Sequence, residues 1–196
     1  MKSDLMKIEI LEDNDKVFRF SLSGTDHATT NALRRIAMNS VKTFAIDKVT
    51  IYENTTSMFD EYIAHRVGLV PILTPSKGYS DTDEILFTLD RQGKGTAYSH
   101  DLEASDKVVK VANGNIPIMK LDEEQKLRLE GKAVLGAGIT HAKFQPGLVT
   151  YEMKGDDTYE FYVETFGQMP PKEIVNKALE VIKQELKDVE KGVKKL

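Results

Sequence analysis

The C-terminal segment carries an apolar seam that constrains the fold more than any other feature of the sequence. Pro170 and Pro171 suit a helix start, and the pattern after them predicts a helix to about Gly192 or the C-terminus. Within this helix, aliphatic residues recur at steps of 4, 3, 4, 3 and 4 on one narrow face: Val175, Leu179, Ile182, Leu186, Val189 and Val193.

Leaving these aliphatic side chains in water would be costly, so we expect another protein surface to cover the seam. Fully burying one aliphatic side chain contributes ~1.5–3 kcal/mol, while the whole stability of a folded protein is only about 5–15 kcal/mol. Apart from Ile174, Ala178 and Val181, most other residues of the helix are polar or charged. A lone amphipathic helix is most often covered by the protein's own sheet. A strict seam of nearly three heptads favours a helix from another subunit, and the sequence leaves both alternatives open.

The rest of the chain predicts strands and two shorter helices. Apolar and polar residues alternate on both sides of residues 13–15, which predicts an opening hairpin. Leu33, Ala37 and Phe44 lie at helical spacing and predict a helix over about residues 27–42. The segment AIDKVTIYEN predicts a strand and EYIAHRVGL a short helix. Further strands are predicted at KLRLEGKAVLG, LVTYEMK and TYEFYVETF, before the terminal helix.

The composition excludes several kinds of site. The 196 residues include no cysteine, which excludes disulfides, a thiolate nucleophile and the sulfur ligands of ordinary iron–sulfur sites and most structural zinc sites. The net charge is only -4 although 30% of the residues are charged, so we expect no direct binding of nucleic acid. The start, MKSDLMKIEI, is charged, and no apolar run approaches the ~20 residues of a membrane span. We therefore expect a cytoplasmic protein without a membrane anchor.

The segment DEYIAHR offers one candidate catalytic site. Asp60, Glu61 and His65 could share a helical face, because His65 follows Glu61 by four residues. A metal-dependent hydrolase using these three residues is the alternative function. The segment lacks the second histidine of the HExxH motif, and a solvated helix face is the favoured interpretation.

Two adjacent arginines mark the first helix. Arg34 is predicted on the flank of its apolar face, and Arg35 points nearly opposite to that face. Such arginines commonly serve only to solvate a helix, but their planar, bidentate side chains also suit a rigid protein interface.

Several motifs resemble the N-terminal signature of the α-like subunit of multisubunit RNA polymerases. They are NALRRI (31–36), the AID-V-I pattern (45–51) and DEYIAHRVGLVPI (60–72). A later block, LRLEGKAVLGAGITHAKFQPG (127–147), is similar to the family's glycine loop followed by His-Ala-Lys-aromatic. The family comprises bacterial alpha, its eukaryotic third-subunit counterpart and the archaeal D-type subunit. The archaeal and eukaryotic form of the HR-GL-P motif is the closer match.

The resemblance implies an α+β fold in two domains with a discontinuous chain. Residues 1–45 and 152–196 would form a dimerisation domain, and residues 46–151 would form an inserted β-rich domain. Many archaeal relatives hold iron–sulfur clusters in a cysteine-rich part of the insert, and the eukaryotic relative holds zinc there. Because this chain has no cysteine, we expect no cluster, no metal and no other cofactor.

The resemblance also implies a set of partners in a DNA-directed RNA polymerase. The seam helix would pair with the small L-type subunit to form a heterodimer. The NALRRI helix would direct Asn31, Arg34 and Arg35 toward the second-largest subunit, and the insert would reach the small zinc-binding assembly subunits. The largest subunit would hold the catalytic metals. The chain would then be a non-catalytic assembly subunit with no catalytic residue of its own.

Overall fold

The computed structural model describes residues 6–195, which form ten strands, three α-helices and two short 3₁₀ turns. The strands are β1 (Lys7–Asp13), β2 (Val17–Ser23), β3 (Lys42–Asn54), β4 (Ile85–Gln92), β5 (Gly95–Tyr98), β6 (Glu103–Ala104), β7 (Pro117–Leu121), β8 (Lys126–Ala137), β9 (Gly147–Gly155) and β10 (Thr158–Thr165). The helices are α1 (His27–Asn39), α2 (Asp60–Gly68) and α3 (Pro171–Val193), and the turns are Ser99–Asp101 and Ala142–Phe144. The predicted α+β class is confirmed.

The chain divides into two compact units. The first comprises Met1–Val41, Ala137–Ile139 and Gln145–Leu196, and the second comprises Lys42–Gly136 and Thr140–Phe144. These bounds differ from the predicted division at residues 45/46 and 151/152. Residues 42–45 belong to the second unit because they begin β3, and residues 145–151 belong to the first because β9 pairs with β10.

The first unit is an antiparallel sheet packed against two helices. Its strand order is β1-β2-β10-β9, and Phe20 of β2 lies opposite Phe161 of β10 with stacked rings 4.8 Å apart. Both rings are buried in a core that Leu33 of α1 and Ile174 of α3 complete. The hairpin and the two helices expected in this part of the chain are therefore present.

The first helix ends earlier than predicted. It ends at Asn39, and Phe44, which the helical spacing had included, lies in β3 instead. There the Phe44 side chain is fully buried, and its N–H donates a hydrogen bond of 2.9 Å to the Thr74 hydroxyl. This hydrogen bond to a side-chain hydroxyl and the burial of Phe44 in the core thus override the local periodicity.

The second unit has its own core around a four-stranded sheet of order β3-β8-β4-β6, with β5 and β7 paired separately. Ile63 and Val67 of α2 are fully buried in this core. Gly136 of β8 leaves space for an aromatic ring, since a Cβ there would lie 2.6 Å from the Phe144 ring. Among the described residues, no helix is long and apolar enough to cross a membrane.

Candidate protein-binding site

The structure divides the predicted seam of α3 into a covered half and an uncovered half. Val175 and Ile182 are half-buried and pack against the core of the first unit, and Leu179 is 38% exposed. The last three seam residues are largely in solvent, with exposed fractions of 64% for Leu186, 64% for Val189 and 63% for Val193.

The inward direction of α3 is set by two residues outside the seam. Ile174 and Ala178 are fully buried, and because they are four residues apart they define the stripe that faces the sheet. The seam runs beside this stripe, and only its first half packs against the core of the first unit. From residue 183 to residue 195 every side chain is exposed. The described part of the chain therefore provides no cover for the second half of the seam.

A second apolar strip lies on the edge strand β1. Ile8 is paired with Leu22, and Ile10 with Phe20, in the antiparallel register of β1 and β2. Residues directly opposite each other share a face of the sheet, so both isoleucines lie on the face that holds the core. They are nevertheless 64% and 53% exposed. The sequence predicted the hairpin but carried no sign of this exposure, because alternation identifies a face and not what covers it.

The predicted partner-binding residues of α1 differ in whether their side chains bond to one another or face solvent. The Arg34 Nε and Nη2 atoms donate hydrogen bonds of 3.2 and 2.9 Å to Asn31 Oδ1, and Arg34 is half-buried. Arg35 is exposed and forms no side-chain hydrogen bond or ion pair with any residue between 6 and 195. The structure therefore joins Asn31 to Arg34 and leaves Arg35 free to meet another molecule.

The start of α1 is fixed by a side-chain cap. Asp26 Oδ1 accepts a hydrogen bond of 2.7 Å from the Thr29 N–H. This bond to the backbone lowers the pKa of the Asp26 carboxyl, since it stabilises the charged form. The cap holds the helix that presents both arginines.

The candidate metal site on α2 is not supported. Asp60 Oδ1 accepts a hydrogen bond of 2.7 Å from the Asn54 amide, which also bonds the Met58 carbonyl and so fixes the loop before α2. Within residues 6–195, no group of three or more His, Asp or Glu side chains is arranged to hold a metal ion. His65 lies instead in a separate pocket of about 220 Å³ in the second unit. In that pocket Lys143 forms an ion pair of 2.8 Å with Asp47.

The sequence profile of the RNA polymerase Rpb3/Rpb11 dimerisation domain matches residues 19–186. The chain belongs to this family. The matched segment begins in β2 and ends at Leu186 of α3, so it includes α1 and most of the seam. The resemblance to RNA polymerase subunits of this kind is confirmed at the level of the dimerisation domain.

Relatives in this family include archaeal proteins. The chain is 46% identical over 154 residues to the DNA-directed RNA polymerase subunit Rpo3 of Methanocaldococcus jannaschii, covering 79% of this chain and 78% of that protein. It is 43% identical over 154 residues to the Rpo3 subunit of Thermococcus kodakarensis, covering 76% of this chain and 60% of that protein. For the Rpo3 subunit of Pyrococcus furiosus the identity is 41% over 153 residues, covering 75% and 59%. The match thus spans only about three fifths of the latter two relatives.

Proposed function

We propose that this chain is the Rpo3-type, or D-type, subunit of an archaeal DNA-directed RNA polymerase. Its role is assembly: it pairs with the small L-type subunit, and the large catalytic subunits assemble on this heterodimer for DNA-templated transcription. The observation that carries the proposal is the uncovered half of the α3 seam in a chain of a dimerisation-domain family. As a polymerase subunit it acts in the cytoplasm.

The first unit is the dimerisation domain in this proposal, and the second unit is the inserted domain. The exposed seam residues Leu186, Val189 and Val193 bind an apolar helix of the L-type subunit, because burying each side chain contributes up to ~1.5–3 kcal/mol. Arg35, which has no partner among the described residues, binds the second-largest subunit, and Asn31 and Arg34 support it. The second unit binds the small zinc-binding assembly subunits, and the assembled platform also receives the largest subunit.

The chain itself brings no cofactor in this proposal. Iron–sulfur clusters and structural zinc in such inserts depend on cysteine thiolates, and the sequence has none. The polymerase's bond-forming step, nucleotidyl transfer, uses metal ions held by carboxylates. In this proposal the largest subunit holds those ions and carries out that step.

Co-expression with the L-type subunit of the same organism tests the proposal. The two chains should purify as a 1:1 complex by native mass spectrometry. Leu186→Asp together with Val189→Asp should abolish the complex, because both changes place a carboxylate in the apolar contact. Gln184→Asp is the matched control, since it adds a negative charge on the opposite face of the same helix. The proposed pairing is wrong if the double variant still forms the complex, or if the wild-type chain does not form it.

A further inference from the structure

Two side chains of opposite charge lie along one side of the exposed half of the α3 seam. Lys183 and Glu190 each directly follow a seam residue, so the helical repeat places both on the same side of the seam. Glu185 and Gly192 each directly precede a seam residue and lie on the other side. At the positions next to the seam, one side therefore carries a positive and a negative charge, and the other side carries one negative charge.

The charged side chains next to the seam are available to another molecule. Lys183 and Glu185 are exposed, and neither forms an ion pair or a side-chain hydrogen bond with another residue of the described range 6–195. Glu190 is exposed and forms an ion pair of 2.5 Å with Lys194, one turn further along the helix. An exposed pair of this kind contributes little to stability, so Glu190 can exchange Lys194 for a different cation at little cost.

An antiparallel pair of two copies of α3 brings the opposite charges together. A two-fold axis perpendicular to the helix places each side of the seam against the same side in the second copy, with the chain direction reversed. With the axis at the middle of residues 182–193, Leu186 packs beside Val189 of the second copy. The same register places Lys183 next to Glu190 of the second copy, and the symmetry forms this pair twice.

The other side of the seam does not oppose this arrangement. In the antiparallel register Glu185 faces Gly192 of the second copy, which has no side chain. A parallel pair would instead place Glu185 next to Glu190 of the second copy on both sides of the seam. Like charges at these positions disfavour association, so the antiparallel arrangement is the one that suits this sequence.

We infer that the chain pairs with a second copy of itself through this antiparallel contact when no other subunit covers the seam. Residues 182–193 span only about 18 Å of helix. The contact is therefore smaller than a standard protein interface, and the pair is weak and dissociates on dilution. The second copy occupies the surface proposed for the L-type subunit, so the two complexes exclude each other. The inference goes beyond the proposed function, because it needs only this chain and its exposed seam.

The self-association of the purified full-length chain tests this inference by sedimentation equilibrium. Wild type should change reversibly from monomer to dimer as the concentration rises. We expect Lys183→Glu to weaken the dimer about tenfold or more, because it places two carboxylates together at both symmetric positions. Lys183→Glu combined with Glu190→Lys exchanges the charges and should restore the affinity to within about threefold of wild type. Lys187→Glu is the matched control, since Lys187 lies farther from the seam, and it should have little effect.

The charge exchange separates this specific register from unspecific apolar association. A wild-type chain that stays monomeric at every concentration would overturn the inference. So would a dimer that Leu186→Asp leaves intact, or an exchanged double variant that remains as weak as Lys183→Glu alone. Each of these results would leave the proposed function intact, because that function is tested by the heterodimer. Addition of the L-type subunit should convert the self-paired chain into the heterodimer, and a self-pair that persists together with bound L-type subunit would show that the two contacts use different surfaces.

Discussion

Ile174 and Leu186 lie twelve residues apart on the same helix, yet Ile174 is fully buried and Leu186 is 64% exposed. The first anchors α3 to the core of its own unit, and the second extends beyond that core. Ile174 therefore contributes to folding of the unit, whereas Leu186 is available to contact a partner.

This difference in burial predicts that truncating the two side chains changes stability by very different amounts. Ile174→Ala removes buried methyl groups from the core and should lower the free energy of unfolding by about 2–5 kcal/mol. Leu186→Ala should change it by less than about 0.5 kcal/mol in the isolated chain, because the side chain has no cover to lose. Urea denaturation of the isolated chain measures both values. Equal destabilisation by the two changes would show that the seam is buried within this chain.

The sequence could predict the seam but not its cover. The alternation of four- and three-residue steps correctly placed Leu186 on an apolar face of a helix, since periodicity defines a direction around the helix axis. Which part of that face meets the sheet depends on where the helix crosses the strands, and this is set by Ile174 and Ala178. Likewise, the sequence placed Ile8 in a hairpin, but its exposure depends on the distance of β1 from the helices. Tertiary arrangement of this kind leaves no local signal.

Arg34 and Arg35 likewise show that the sequence can predict the exposure of a residue but not its tertiary neighbours. Sequence reasoning placed Arg34 on the flank and Arg35 on the outer side of α1, which agrees with their half-buried and exposed states. It could not identify that Ile139 lines the same cleft as Arg35, because the two positions are separated by about a hundred residues and the strands between them belong to the other unit. A loop that returns to the first unit for three residues is visible only in the structure.

Gly138 should be intolerant of even the smallest side chain. A Cβ at this position would lie 2.4 Å from the Met38 carbonyl oxygen, which belongs to the backbone of α1 and not to a flexible side chain. We expect Gly138→Ala to lower the free energy of unfolding by about 1–3 kcal/mol, as for other overpacked sites. Gly192→Ala is the control, because no atom lies within 4 Å of the added Cβ near the end of α3. That change should be neutral or slightly stabilising, and thermal unfolding of both variants gives the comparison.

The edge strand β1 should contribute to binding of the L-type subunit. Ile8 and Ile10 extend the core face of the sheet beyond its helices, so a partner that packs on the uncovered seam has a second apolar strip available in the same unit. Ile8→Ser combined with Ile10→Ser should weaken the heterodimer roughly tenfold or more. Val108→Ser, at a similarly exposed aliphatic residue of the second unit, should have no effect. Isothermal titration calorimetry with the L-type subunit measures these affinities, and equal affinity of the double variant and wild type would exclude β1 from the interface.

The Asp26 cap predicts a stability that depends on pH. The hydrogen bond from the Thr29 N–H lowers the pKa of Asp26 in the folded state below its value in the unfolded chain. The unfolded chain therefore binds a proton more readily, and the contribution of Asp26 to stability is complete well above about pH 4. It is lost as the pH falls through the folded-state pKa.

Asp26→Asn isolates this effect, because asparagine caps a helix about as well as aspartate but does not titrate. Unfolding free energies of wild type and variant should be similar at neutral pH, and the variant should lose less stability than wild type on acidification. Parallel urea titrations at about pH 7 and about pH 3, on either side of the ordinary aspartate pKa, measure the difference. If wild type and variant lose the same stability between these two pH values, the Asp26 carboxylate does not hold the start of α1 in solution.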